Sequence, residues 1–528
     1  MTTITLTNAR VYTMDSGNPF AIGLVIEDGR IIRLISEAEG IDLTLSGNVL
    51  DLEGRVLLPG LIDSHLHLQK YAETLEIIDC ETSTRQKCLE RVKERAANTP
   101  PGDWVLGHGW NHNNWADGYG NAGELDQIAP DHAVYLTGKS LHVSWVNNQA
   151  LALAGINAET RDPATGSFQR DQNGIPTGII FEGAVKLVER VIPVPSIKKT
   201  ASTIFKTQKK LWEMGLTGVH DFDRELCLDA LIYLENEGKL GLRVQKSIPE
   251  LDLDQALELG YRIGGGTDWL WFGGVKDFAD GALGPQTAAM LAPYQGSDNL
   301  GLLLRSEEEL YELGVRAAGG KLALSIHAIG DLANRTVLNA FTKLRQYEKK
   351  QGIKPLAHRI EHLQLIDPED IGRLADLDIT ASMQPIHATS DMEMADSFWG
   401  TRTAYAYAPK HLLDQGTRVI FGSDAPVESP NPWLGIHAAV TRRRGDGSPG
   451  PDGWHPGGRV SVHEALKAFT QSPAEASGKG DKQGKLAPDY WADCIVLEKD
   501  PLHCHPDELL DIQPAGTMIN GNWVYRNF

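Results

Sequence analysis

His65 and His67 close the apolar run VLLPGLIDSHLH with one residue between them. On an extended strand that spacing sends both imidazoles out of one face toward a single point, and neutral ring nitrogens are preferred donors to zinc-like ions. The bare spacing is weakly specific in a chain with 17 histidines: His503 and His505 repeat it in DPLHCHPDELL, but they follow no apolar run and read as surface residues. Pro59, Gly60 and Asp63 set the first pair apart, because they place it where a barrel strand would end. Lys276 stands in WFGGVKDF, where an unpaired ammonium is expensive. It calls either for an ion pair with Asp277 or Asp280, or for carbamylation to an anion that bridges metal ions. His327 in SIHAIGD and His362 in RIEHLQ are further neutral-imidazole candidates, although either alone reads equally well as a core histidine. Asp424 in IFGSDAP has the chemistry to take a proton from an attacking water and deliver it to a leaving nitrogen. Its plainer reading is a helix N-cap before Pro426.

Around these lies a wider set of pocket candidates. His220, beside Asp221, is carried with Asp424 as a catalytic candidate able to hydrogen-bond a substrate carbonyl, or as a structural histidine fixed by a carboxylate. Asp280, Gln384 and His387 are candidates to touch substrate, as are His142 in the long stretch after the first run and Trp110 and Trp145, two of twelve tryptophans, in loop-like contexts. Packing explains the tryptophans equally well.

The elements that must position these residues are legible in the order of apolar runs. Eight can be counted: VLLPGLIDSHLH, LTGVHDFD, LRVQKSIPE, LWFGGVKDFADG, LALSIHAIGD, HRIEHLQLI, ITASMQPIHA and RVIFGSDAPV. They alternate with amphipathic helical stretches such as SIKKTASTIFKTQKKLWEMG and SEEELYELGVRAAGG, and nearly all end in a polar or ionisable residue. This pattern predicts an α/β fold, a (β/α)8 TIM barrel with its chemistry at the C-terminal ends of the strands. The stretch between the first and second runs, about residues 80–205, exceeds any ordinary connection and predicts an inserted subdomain. Short alternating β runs at both ends, 1–58 and 475–528, predict one small β-sandwich domain built from the two termini, leaving 59–474 as the barrel domain.

Bulk properties exclude several classes. A net charge of −20, from 70 acidic and 50 basic residues, disfavours nucleic acid or an anionic membrane as a partner. No stretch approaches a membrane span and the first 25 residues lack a signal-peptide pattern, so the expectation is a cytoplasmic protein. Five cysteines outside any C-x-x-C spacing predict neither a disulfide framework nor a thiolate zinc site.

PGLIDSHLH, the strand-end lysine, two single histidines and GSD together resemble the amidohydrolase superfamily across essentially the whole chain. GHGWNHNNW, LHVSWVNNQAL, VKDFADGALG, HAIGD, RIEHLQ and SMQPIH narrow the resemblance to amidohydrolase family 3, the N-substituted formamide deformylase-like branch. The resemblance implies a metal-dependent hydrolase of an amide-like C–N bond in a small molecule. It also implies one or two divalent ions, zinc first, with manganese or iron as alternatives. His65 and His67 would hold the more buried ion, His327 and His362 the second, carbamylated Lys276 would bridge them, and Asp424 would be the general base. A homodimer is the implied assembly. A deaminase or isomerase on the same barrel, or a non-catalytic barrel protein, are the competing readings. Two departures from the branch bear on substrate choice: Asn111 after Gly109–Trp110 where an acid is common, and Pro285–Gln286 after ALG where Ser-Arg is common.

Overall fold

The computed structural model describes residues 3–37, 47–112, 115–138, 143–163 and 166–528. Each of the eight apolar runs contains one strand of a parallel sheet. In chain order these are β1 (Leu61–Leu66), β2 (Leu216–Asp221), β3 (Arg243–Pro249), β4 (Leu270–Phe278), β5 (Leu324–Ala328), β6 (Arg359–His362), β7 (Thr380–Met383) and β8 (Val419–Phe421). Every residue of β1, β2, β6, β7 and β8 is buried, as strands covered by helices outside and by packed side chains inside require. The fold is a (β/α)8 barrel. Its helices follow local chemistry: Ser306 accepts from the N–H of Glu309 while the Glu309 carboxylate accepts from the N–H of Ser306, which starts the helix Glu307–Gly319. The helix Asp331–Gln351 stops at Gly352, whose φ of 68° suits a residue without Cβ.

Ladders join all neighbours from β1 through to β8, and the circle closes just beyond the strands. There the Asp424 N–H donates to the His65 carbonyl (2.7 Å) and the His67 N–H to the Ala425 carbonyl (2.8 Å). Asp63 sits beneath this seam. Its carboxylate accepts from the His65 N–H (3.0 Å), the Ser423 N–H (3.1 Å) and the Ser423 hydroxyl (2.6 Å). Residue 422 must be glycine for this approach, because a Cβ there would lie 2.5 Å from the His65 nitrogen. A buried clamp also ties β5 to β6: His358 accepts from the Leu324 N–H (2.9 Å) through Nδ1 and donates to Glu348 through Nε2 (2.9 Å).

The termini form two further sheets. One is four-stranded (Thr3–Thr7, Gly23–Glu27, Arg30–Ile35, Asn48–Asp51); the other is six-stranded (Arg10–Tyr12, Phe20–Ala21, Val56–Pro59, Cys494–Leu497, Pro514–Ile519, Asn522–Arg526). Leu6, Val11, Leu24, Ile26, Leu57, Val496 and Met518 pack together as their shared core. Both sheets lie in one compact unit with the barrel, spanning 1–71 and 200–528. Arg243 at the start of β3 joins the two parts, donating to Asp493 (Nε 2.5 Å, Nη2 3.0 Å) with its guanidinium 3.7 Å from the centre of the Trp491 ring.

The second unit, 72–199, has its own six-stranded sheet and a core of Cys88, Val92, Trp110, Trp115, Leu125, Leu136 and Trp145. Its last residues enter the helix Ile197–Glu213, the amphipathic stretch in which the sequence places the end of the insertion. Among the described residues no helix is long and apolar enough to cross a membrane.

Candidate metal centre

The ends of β1 and β8 set up the centre. His65 Nε2 and His67 Nε2 each lie 3.6 Å from the same oxygen, Oδ1 of Asp424. Two ligand bonds of about 2.1 Å at a tetrahedral angle separate donor atoms by about 3.4 Å, so this triangle has the dimensions of a metal's coordination edge. The orientation of both rings is fixed from behind. Nδ1 of His65 meets Oε2 of buried Glu361 at 2.7 Å, and Nδ1 of His67 meets Oδ1 of Asp223 at 3.2 Å. A ring nitrogen facing a carboxylate carries the proton, which leaves the lone pair on each Nε2, inside the triangle. Burial, with Lys276 nearby, holds the His65 ring well below its ordinary pKa and therefore neutral. His65 also stacks on Phe222, with ring centres 3.9 Å apart.

His362 ends β6 and packs between His65 and His327, with ring centres 4.8 and 4.6 Å away. Its Nδ1 is 2.8 Å from Oε1 of Gln384 and 4.0 Å from Oδ2 of Asp424. The backbones of His362 and Asp424 both take positive φ, 72° and 60°, so each side chain is aimed by a turn that costs conformational energy. His327 on β5 donates from Nε2 to the Gly281 carbonyl (2.9 Å), which leaves its Nδ1 lone pair available. Burial lowers its pKa to about 3. Lys276 on β4 is buried, and its Nζ has no hydrogen-bond partner among the described residues. Burial lowers it to about 8, although Glu361 and Asp424 pull the other way. Asp424 is raised by burial to about 6. Convergent lone pairs, fixed tautomers and an orphaned amine beside carboxylates are the donor set a divalent cation takes.

The remaining candidates divide. His220 on β2 accepts from Nη1 of Arg359 at 3.0 Å through Nδ1, so a cation rather than a carboxylate fixes it and Nε2 carries the ring proton. Asp280 accepts from the N–H groups of Ala289 (2.9 Å), Ile329 (3.0 Å) and Gly330 (2.8 Å), tying the loops after β4 and β5 beside His327. His387 is buried with a ring nitrogen within 4.8 Å of donor atoms of His362 and Asp424. Trp110 and Trp145 lie in the core of the second unit, their indole N–H groups donating to the carbonyls of Leu136 and Asn121, both at 2.9 Å. His142 lies outside the described residues. His503 and His505 are exposed beside Asp500 and Asp507.

Four important residues are missing from the sequence reading: Glu361, Asp223, Arg359 and Lys246. Arg359 pairs with Glu361 (2.5 Å) and donates to the Ser64 carbonyl (2.7 Å) and Ser382 hydroxyl (2.9 Å). Lys246 pairs with Asp221 (2.9 Å) and donates to the Asp223 carbonyl, which steadies the loop that orients His67. Glu361 immediately precedes His362 and Asp223 ends the second apolar run, so both were within sight of the motifs.

Comparison with known proteins identifies the family. The amidohydrolase family model matches residues 48–525. YtcJ of Bacillus subtilis (strain 168) is 33% identical over 531 residues, covering 98% of both chains. The N-substituted formamide deformylase of Arthrobacter pascens is 28% identical over 548 residues, covering 100% of this chain and 99% of that one. The crystal structure of an uncharacterized metal-dependent hydrolase from Pyrococcus furiosus superposes with a TM-score of 0.79 at 29% identity, covering 95% of this chain and all of the other. With its strand-end histidines, lysine and aspartate in one place and the family's pattern running through nearly its full length, the chain belongs to the amidohydrolase family.

Proposed function

We propose that this protein hydrolyses the C–N bond of a small amide-like molecule, an N-substituted formamide, an acyl amide or a carbamate, with the help of one or two divalent cations, zinc ahead of manganese or iron. The observation that carries this reading is the pair of imidazole lone pairs directed at one Asp424 oxygen from 3.6 Å. His65, His67 and Asp424 would hold one cation, His327 and His362 a second, and carbamylated Lys276 would be the ligand shared by both, the cations supplying Lewis acidity toward water and the substrate carbonyl. The protein's own groups then divide the proton work. Asp424, raised toward neutrality by burial, takes a proton from the attacking water and passes it to the departing nitrogen. Burial of Lys276 favours its neutral amine, the form that adds carbon dioxide. His220, whose Nε2 carries the ring proton, is the second candidate to hydrogen-bond the substrate carbonyl. The likeness to a formamide deformylase over the full chain supports formamides as the first class to try.

The test is product analysis. Protein purified without chelators, its metal content measured, is incubated with formamides, acyl amides and carbamates, and products are identified by mass spectrometry. An amine and the matching acid support the proposal. Ammonia released from a ring or side chain points to a deaminase, and a product of unchanged mass to an isomerase. Absence of bound metal that divalent ions and bicarbonate fail to restore, with no turnover, overturns the hydrolase reading in favour of a non-catalytic protein.

A further inference from the structure

Beside the histidine cluster, the junction between β7 and the helix Pro385–Trp399 holds polar groups that nothing among the described residues satisfies. Gln384 is 2% exposed and His387 is 6% exposed. Gln384 uses Oε1 on His362, which leaves its Nε2 amide without a partner, and neither ring nitrogen of His387 has one among the described residues. A buried donor left unpaired is costly, so two at one junction mark a place built for an acceptor. The helix adds to this: it has 15 residues, opens with Pro385, and has no side-chain cap at Gln384. Its N-terminal end therefore presents positive potential at the same spot. The direction is also set. A ring nitrogen of His387 lies within 4.8 Å of donor atoms on His362 and Asp424, and the His387 and His362 rings are nearly parallel with centres 6.4 Å apart.

We infer that the β7 junction is an oxygen-acceptor cradle, in which the Gln384 amide and the His387 ring N–H bind and polarise the carbonyl oxygen of the scissile group. This rests on the hydrolase reading for the identity of the oxygen, while the cradle itself rests on the unpaired donors. Negative charge grows on that oxygen as water adds to the carbonyl carbon, so donors waiting there act more strongly in the transition state than in the bound substrate. Gln384 has a second duty in orienting His362, which makes His387 the cleaner residue to vary.

The experiment uses the protein as purified, with three readouts: metal content, nitrogen-15 resonances of the His387 imidazole during titration with formate, and steady-state kinetics on whichever amide the wild type hydrolyses. His387→Ala is expected to keep wild-type metal content and to lose about 10²–10³ in kcat with little change in KM. His387→Gln, which restores an amide donor, is expected to recover part of that loss. Formate is expected to move the His387 ring resonance. A drop of one metal equivalent in His387→Ala would make His387 a ligand and overturn the cradle, as would an unchanged kcat or a ring resonance indifferent to formate. If no amide is hydrolysed but formate moves the ring, the cradle stands and the hydrolase reading falls.

Discussion

In the proposed reaction Asp424 serves both the cation site and the proton, and the two duties separate experimentally. Asp424→Asn keeps the size and one oxygen donor, so the protein is expected to retain its fold and much of its metal while kcat falls about 10²–10⁴-fold, the usual worth of a positioned general base. Metal analysis beside steady-state kinetics checks this. Lys276→Ala is expected to lose activity and to regain part of it when acetate or propionate is added, since a free carboxylate can occupy the space of a carbamate. Full activity without added acid would remove Lys276 from the centre. Glu361→Gln tests the ring behind His65: the bond from Nδ1 at 2.7 Å survives only as a neutral one, and metal affinity is expected to fall about 10–100-fold by competition with a chelating dye. At this scale the sequence revealed the donors better than their supports. His65, His67, His327 and His362 announce themselves by residue type, whereas Glu361 and Asp223 become meaningful only when a ring nitrogen is found opposite them. Trp110 and Trp145 show the converse, because an aromatic residue near a loop has the same composition whether it faces a ligand or a core.

Among the elements, β5 and β6 depend on His358. Burial holds its ring below 6.5 despite the bond to Glu348, so the unfolded chain takes up a proton at a higher pH than the native protein does. The stability this contributes is present above pH 6.5 and is lost as pH falls below it. Thermal melts between pH 7.5 and 5 are expected to show a steeper fall for the wild type than for His358→Gln. That variant should already be less stable at pH 7.5 by about 1–3 kcal/mol for its unsatisfied buried partners. All eight strands were legible, since buried parallel strands read as apolar runs and polar ends mark the active face of a barrel. What eluded the sequence is how the circle closes, because bonds from residues 424 and 67 to the opposite backbone leave no periodic signature.

For the whole molecule, two segments separated by more than four hundred residues form one β structure joined to the barrel. The joint is the buried pair Arg243–Asp493 between Trp491 and Trp269. Asp493→Ala leaves the guanidinium buried and unpaired, so unfolding by guanidinium chloride is expected to show a loss of about 3–5 kcal/mol. Activity per folded molecule should be unchanged, because the pair lies at the start of β3, away from the metal-centre ends of the strands. The two terminal sheets were legible from alternation and turn residues. The inserted segment was legible from its length, which exceeds any ordinary connection between barrel strands, and a compact unit spans 72–199 there.

The closure between β1 and β8 carries a further consequence for how the protein is made. Asp63 and Ser423 are 360 positions apart, and the same few bonds that complete the circle bring Asp424 to His65 and His67. A nascent chain that has emerged through β7 already has both histidines and most of the barrel, yet it lacks Asp424 and the seam that brings its carboxylate to 3.6 Å from their Nε2 atoms. On the proposed roles, the proton-transferring carboxylate and the completed barrel therefore arrive together, late in synthesis and in one long-range step.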